Sequence, residues 1–226
     1  MIDSVTFPAR TGAPTMGVIA LPEGNDKAPA VVLLQEWWGL NGHIRSLAER
    51  LSREGFIVLA PDLYHGTVAT DAADAQRLMT ELKWSDALEE IAGAVSWLKA
   101  DPRCDGHVGV TGFCMGGAGA LVTACNVPGV GAAVAFYGLP PAQYADWKRA
   151  DVPPIQAHFS ATDRWAKPEL AAQIRDTLVA RGKTFDLHVY DAEHAFVNDT
   201  RPEVYHPEHA ATAWKRMVDF FHRHLG

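Results

Sequence analysis

Three residue types in one chain order could perform acyl transfer. They are a cysteine, Cys114, an aspartate 49 residues on, Asp163, and a histidine 31 residues beyond that, His194. A thiol must lose its proton before it attacks a carbonyl carbon, and an imidazole can accept that proton and later deliver it to the leaving group. A carboxylate on the far ring nitrogen fixes the tautomer and stabilises the imidazolium. Cys114 sits in Gly112-Phe113-Cys114-Met115-Gly116-Gly117, a G-x-C-x-G pattern between an apolar run and a small-residue helical pattern. That reads as strand, sharp turn and helix: a nucleophile elbow with Cys in place of Ser. The nucleophile's backbone is strained there, so glycines two residues to either side avoid a clash. The helix N-terminus favours a thiolate and a developing oxyanion. Two backbone N–H groups should complete the oxyanion site, one from Met115 and one from Trp37. Taken singly, Asp163 also suits a turn or helix cap, and His194 a surface loop.

The elements that must position these groups follow from periodicity. Residues 2–7 and 15–21 read as an antiparallel strand pair at a sheet edge. Residues 30–34, 56–60, 107–113, 131–137, 154–160 and 185–190 read as strands, the first a continuous apolar run suited to a strand buried on both faces. Residues 42–53, 86–99, 167–181 and 207–225 carry helical spacing, with Gly182 closing the third. Residues 67–84 read as an excursion with helical pieces, and residues 101–106 as a turn. Alternating strands and helices imply right-handed crossovers and a mostly parallel sheet covered on both faces. The expected fold class is therefore α/β, one domain over residues 1–226. Cys114, Asp163, His194 and also Glu36 fall at or just beyond carboxyl ends of strands, where such sheets collect their chemistry.

Composition narrows the function. The net charge of −7 with no long basic run argues against nucleic acid and anionic membranes as partners. Three cysteines without C-x-x-C spacing argue against a disulfide framework, and no run approaches membrane-spanning length. A cytoplasmic location is the expectation. His206, His209, His222 and His224 are the densest histidines, but Pro207 marks a helix start and no H-E-x-x-H accompanies them, so they read as solvated helix ends rather than a metal site. No cofactor is expected.

Gln35-Glu36-Trp37-Trp38-Gly39, Pro61-Asp62-Leu63-Tyr64, the elbow itself, Phe136-Tyr137-Gly138 and Glu193-His194-Ala195-Phe196 resemble, in order, the dienelactone hydrolase (carboxymethylenebutenolidase) family. The resemblance implies an α/β-hydrolase fold, no metal, and hydrolysis of a small ester or lactone through a thioester. It also gives Glu36 a role: the family's matching glutamate contacts the resting thiol and takes its proton when substrate displaces it. Burial would raise that carboxyl's proton affinity. Members acting on dienelactone bind its carboxylate with arginines, one of them four residues after the histidine, where this chain has Asn198. Arg201 is near but out of register, and Arg77 is the candidate for the second. A bidentate guanidinium holds a carboxylate best, so its absence argues against dienelactone itself. Trp37, Trp38, Trp84 and Tyr137 could line a more aromatic pocket for a neutral ester, with core packing an equal reading of Trp84. The competing class is a thiol redox sensor or a non-catalytic small-molecule binding module, with Cys104 and Cys125 as resolving partners or, more simply, inert core and turn residues. The sequence leaves the oligomeric state open.

Overall fold

The computed structural model describes residues 2–24, 26–148 and 151–226. Eight strands form one sheet: β1 (Ile2–Pro8), β2 (Pro14–Ala20), β3 (Ala28–Leu34), β4 (Ile57–Pro61), β5 (Cys104–Phe113), β6 (Ala132–Phe136), β7 (Ile155–Ser160) and β8 (Phe185–Tyr190). Their spatial order is β1-β2-β4-β3-β5-β6-β7-β8. β2 pairs antiparallel with β1 and β4, and every other pairing is parallel. The helices are α1 (Gly42–Arg53), α2 (Ala72–Glu81), α3 (Trp84–Ala100), α4 (Met115–Asn126), α5 (Pro168–Val179) and α6 (Pro207–Leu225). The expected antiparallel edge and parallel α/β sheet are both present.

The period-2 alternation of β3 shows how the sheet is wound. Ala30, Val32 and Leu34 enter one core with Ile91, Val95 and Leu98 of α3, Leu121 of α4 and Leu178 of α5. Val31 and Leu33 enter the opposite core with Ile44, Leu47 and Leu51 of α1 and Met217 and Phe221 of α6. Both faces being covered, the strand reads as a continuous apolar run. Each fully buried aliphatic contributes about 1.5–3 kcal/mol. Gly109 of β5 is where α6 comes nearest: a Cβ there would sit 2.7 Å from the Phe221 ring and 2.9 Å from Leu225, so a larger residue would push the helix off the sheet.

Two local differences from the sequence expectations have simple causes. β5 begins at Cys104, inside the expected 101–106 turn, because Ala28 pairs with Cys104 before the register shifts. α3 begins at Trp84, which places that residue on a helix rather than in the excursion. His206 caps α6, its ring accepting from the His209 N–H at 3.4 Å, and Pro207 occupies the first turn, where a missing N–H costs nothing. His222 and His224 lie in the last turn of that helix. No helix among the described residues is long and apolar enough to cross a membrane.

Candidate active site

The parallel strands place their functional residues at one end of the sheet. Glu36 lies two residues past β3, Cys114 one past β5, Tyr137 one past β6, Asp163 three past β7 and His194 four past β8. Cys114 has φ 55° and ψ −114°, a backbone that L-residues rarely adopt. Tyr137 (φ 36°) and Ala195 (φ 66°) share the left-handed region, so three of the four non-glycine positive-φ residues among those described cluster here. Such strain costs about 1–3 kcal/mol per residue and persists where surrounding structure enforces it. The enforcement at the elbow is steric. A Cβ at Gly112 would strike the Gly116 carbonyl, and one at Gly116 would strike the Leu34 carbonyl. α4 therefore starts hard against the end of β3, with Cys114 at its N-cap position.

His194 Nδ1 meets Asp163 Oδ2 at 2.6 Å. The ring also interacts electrostatically with Cys114. Burial works against the imidazolium, but the hydrogen bonds and charges of Asp163 and Cys114 outweigh it and push His194 up to about 10. Asp163 is itself buried, which favours its neutral form. The bond to His194 and the N–H groups of Ala166 and Trp165 overcome that and hold it below the ordinary carboxylate range. Its second oxygen, Oδ1, accepts from Trp165 N at 2.8 Å and Ala166 N at 2.9 Å. The two readings of Asp163 thus coexist: one oxygen orients the histidine and the other caps the turn leading to α5. Ser160 and Thr162 hydroxyls both donate to the Ala192 carbonyl, tying the aspartate's loop to the histidine's.

Glu36 is 2% exposed, and burial raises its pKa to about 7 against the opposing influence of His194, Asn198 and Arg201. Asn198 Nδ2 donates to Glu36 Oε2 at 2.8 Å. The amide's orientation is fixed from behind, since Asn198 Oδ1 accepts from Thr200 Oγ1 at 2.7 Å and Thr200 N at 3.1 Å. Among the described residues Glu36 makes no hydrogen bond to Cys114, and its side-chain partner is Asn198. Asn198 is therefore a partner of the glutamate, a use that register alone did not reveal.

The remaining candidates divide. Met115 and Trp37 flank the elbow as the first residue of α4 and a turn residue after β3. Among the described residues their N–H groups make no backbone hydrogen bond outside regular elements, as oxyanion donors require. Met115 Sδ accepts from the buried Tyr64 hydroxyl at 3.2 Å, whose pKa is raised by burial and then by the Cys114 charge. Tyr137 is buried against His194, ring centroids 5.0 Å apart, and burial, then Glu36 and Cys114, keep its phenol protonated. Trp37 and Trp38 form an edge-to-face pair 5.1 Å apart, half-buried beside Glu36. Trp84 lies over Gly119 on α4, one turn past the elbow. Arg77 is spent on its own helix, bonding Asp74 at 2.6 Å and Glu81 at 2.7 Å. Arg201 bonds Glu203 at 2.8 Å, yet its charge reaches Glu36 and Tyr137. Cys104 and Cys125 are buried at the start of β5 and within α4.

One site residue escaped the sequence reading. Trp165, two residues past Asp163, is 80% exposed and stands edge-on to His194 at 5.5 Å between ring centroids. Its proximity to the aspartate was the available signal, but nothing in the sequence indicates which way such a loop turns.

Comparison with known proteins agrees with this arrangement. The model of the dienelactone hydrolase family matches residues 15–225. A protein of Aquifex aeolicus named "Putative carboxymethylenebutenolidase" is 34% identical over 228 residues, covering 96% of each chain. The crystal structure titled as a "Putative Dienelactone Hydrolase" from Klebsiella pneumoniae is 27% identical, covers 98% of both chains and superposes with a TM-score of 0.81. The fold is likewise that of a dienelactone hydrolase-like protein from metagenomic libraries, at TM-score 0.82 and 23% identity. Over nearly its whole length, the chain belongs to the dienelactone hydrolase family, within the α/β-hydrolase fold.

Proposed function

We propose that the protein hydrolyses a small neutral ester or lactone, with Cys114 as nucleophile and a thioester as intermediate. The observation that carries this reading is the alignment of Cys114, on its strained turn, with His194 and Asp163. The thiol passes its proton to His194, and the sulfur forms a bond to the substrate carbonyl carbon. The resulting oxyanion lies between the N–H groups of Met115 and Trp37. Collapse breaks the acyl C–O bond, and the departing oxygen takes the proton from His194. Water, deprotonated by the same imidazole, then attacks the thioester and releases the acid and the thiol. Asp163 keeps the imidazole's reactive nitrogen aimed at this sequence. Glu36, half-ionised near neutral pH, is a second proton acceptor for the thiol once a substrate draws it from Asn198.

The substrate is neutral in this reading because Glu36 is held by a neutral amide and Arg201, whose charge reaches it, is bonded to Glu203. Arg77 is engaged on the surface of α2. The half-buried tryptophans 37, 38 and 84 offer apolar wall instead. The action is on a small molecule in the cytoplasm, without cofactor, in one α/β-hydrolase domain. The burial of Cys104 and Cys125 favours this over a redox relay, since a resolving thiol must reach Cys114.

The test is steady-state turnover of p-nitrophenyl acetate and of a neutral lactone, with trapping of acetylated Cys114 by mass spectrometry. Continuous release with an adduct on Cys114 is expected. A single stoichiometric burst, or an adduct elsewhere, overturns the assignment.

A further inference from the structure

The His194 ring lies between two aromatic side chains of opposite exposure. Tyr137 packs on it from within the protein at 5.0 Å and is 1% exposed. Trp165 stands against it from the outside at 5.5 Å, with ring planes 65° apart, and is 80% exposed. A single exposed aromatic on a protein surface needs no explanation. The backbone that carries this one is held by the site. Asp163 orients His194 through Oδ2 and, through Oδ1, accepts the backbone N–H of Trp165 itself. Moving the Trp165 backbone would break a hydrogen bond to the carboxylate that orients the imidazole. Ala166, next in the chain, is buried and donates to the same oxygen, so the turn is anchored on both sides of its tip.

We infer that Trp165 is a specificity-determining residue for the leaving alcohol of the substrate, selecting planar, apolar aryl groups. The inference rests on His194 as the group that protonates the departing oxygen, which obliges that oxygen to sit against the imidazole. The substituent it carries then lies on the solvent side of the ring, where the exposed indole is the adjacent surface. An aryl group there gains offset or edge-to-face contact with the indole and covers apolar surface that the free protein leaves wet. A short alkyl group gains little. The acyl half, bonded to Cys114 and directed toward Met115 and Trp37, does not meet Trp165, so the two halves of the substrate are recognised by separate walls.

The experiment compares phenyl acetate with ethyl acetate in the wild type, W165A and W165F. Both esters give the same acetyl-enzyme, so the ratio of their kcat/KM values isolates the step in which the alcohol leaves. In W165A the aryl preference should fall about 3- to 10-fold, while ethyl acetate stays within about twofold. W165F should recover most of the preference. An unchanged ratio overturns the inference. So does an equal loss on both esters with a displaced pH profile, which would make Trp165 a support for His194. A second readout needs no turnover: the Trp165 indole N–H resonance, assigned by its absence in W165F, should shift on titration with phenol and not with ethanol. A shift in a protein that turns over no ester would preserve the aryl site and remove the hydrolytic reading. No shift, in an enzyme that cleaves phenyl acetate without dependence on Trp165, would do the reverse.

Discussion

A buried histidine within one strand and a half-buried histidine beyond the next respond to desolvation in opposite ways. His158 lies within β7, between the Tyr190 hydroxyl and the Gln156 side-chain carbonyl, each at 2.9 Å. Burial and the positive charges of His188 and Arg216 push its pKa well below 6.5, so it is a neutral packing group stacked on Phe136. His194, beyond β8, is desolvated too, yet its pKa rises to about 10 because its partners are a carboxylate and a thiol. The difference teaches that burial does not decide a histidine's charge in this protein; the charge of its hydrogen-bonding partners does. The same contrast separates a residue able to carry a proton through a reaction from one that is part of the wall.

Removing the thiol should have the largest effect. Cys114→Ala should lower turnover by at least about 10⁴-fold. It should also lower the His194 pKa, read by NMR titration, while leaving His158 unprotonated. A variant that retained turnover would end the case for Cys114. Asp163→Asn should cost between about 10² and 10⁴ in kcat, since the imidazole loses both its anionic partner and its fixed tautomer. If His194 still titrated near 10 in that variant, its charge would not come from the aspartate. Glu36→Gln should reduce acylation of Cys114 by p-nitrophenyl acetate near pH 7 by about 10-fold, with the pH dependence between about 6 and 8 flattened. Unaltered thiol reactivity would remove Glu36 from the proton path.

The smallest catalytic effect belongs to His158→Gln: turnover within about twofold, but stability lower by about 1–3 kcal/mol from polar groups left unpaired. The pH dependence of unfolding gives its sign. A histidine whose folded pKa is depressed takes up a proton on unfolding below pH 6.5, so wild-type stability should fall as pH drops through that value, by up to about 1.4 kcal/mol per pH unit. In H158Q that part of the acid slope should vanish in urea titrations. His194, with its raised pKa, contributes in the other direction: its stabilisation is full below 6.5 and is lost as pH rises through about 10. An acid slope that survives in H158Q would assign it to other groups.

The strands and helices were legible because both faces of the sheet are covered, which turns each inner strand into an uninterrupted apolar run and each helix into a one-sided stripe. The elbow was legible because close approach to carbonyls at Gly112 and Gly116 admits no side chain. The bond between Asn198 and Glu36 was not, since a separation of 162 positions along the chain carries no trace of which polar side chains meet in space. Trp165 was missed for a similar reason. Its sequence position next to Asp163 was visible, but exposure and ring orientation come from the turn that the Asp163 carboxylate builds. The start of β5 at Cys104 depended on pairing with Ala28, a distant partner, and not on local pattern.

All the candidate chemistry sits at one pole of the sheet, and that polarity has an engineering consequence. At the opposite pole the chain reverses through short turns that contain left-handed glycines, Gly55 before β4, Gly129 before β6 and Gly182 before β8. Gly182 follows the exposed Arg181 at the far end from His194. A fluorescent tag or an affinity handle inserted beside Gly182 would therefore sit away from the candidate site. The molecule thus has one end committed to reaction and another open to attachment.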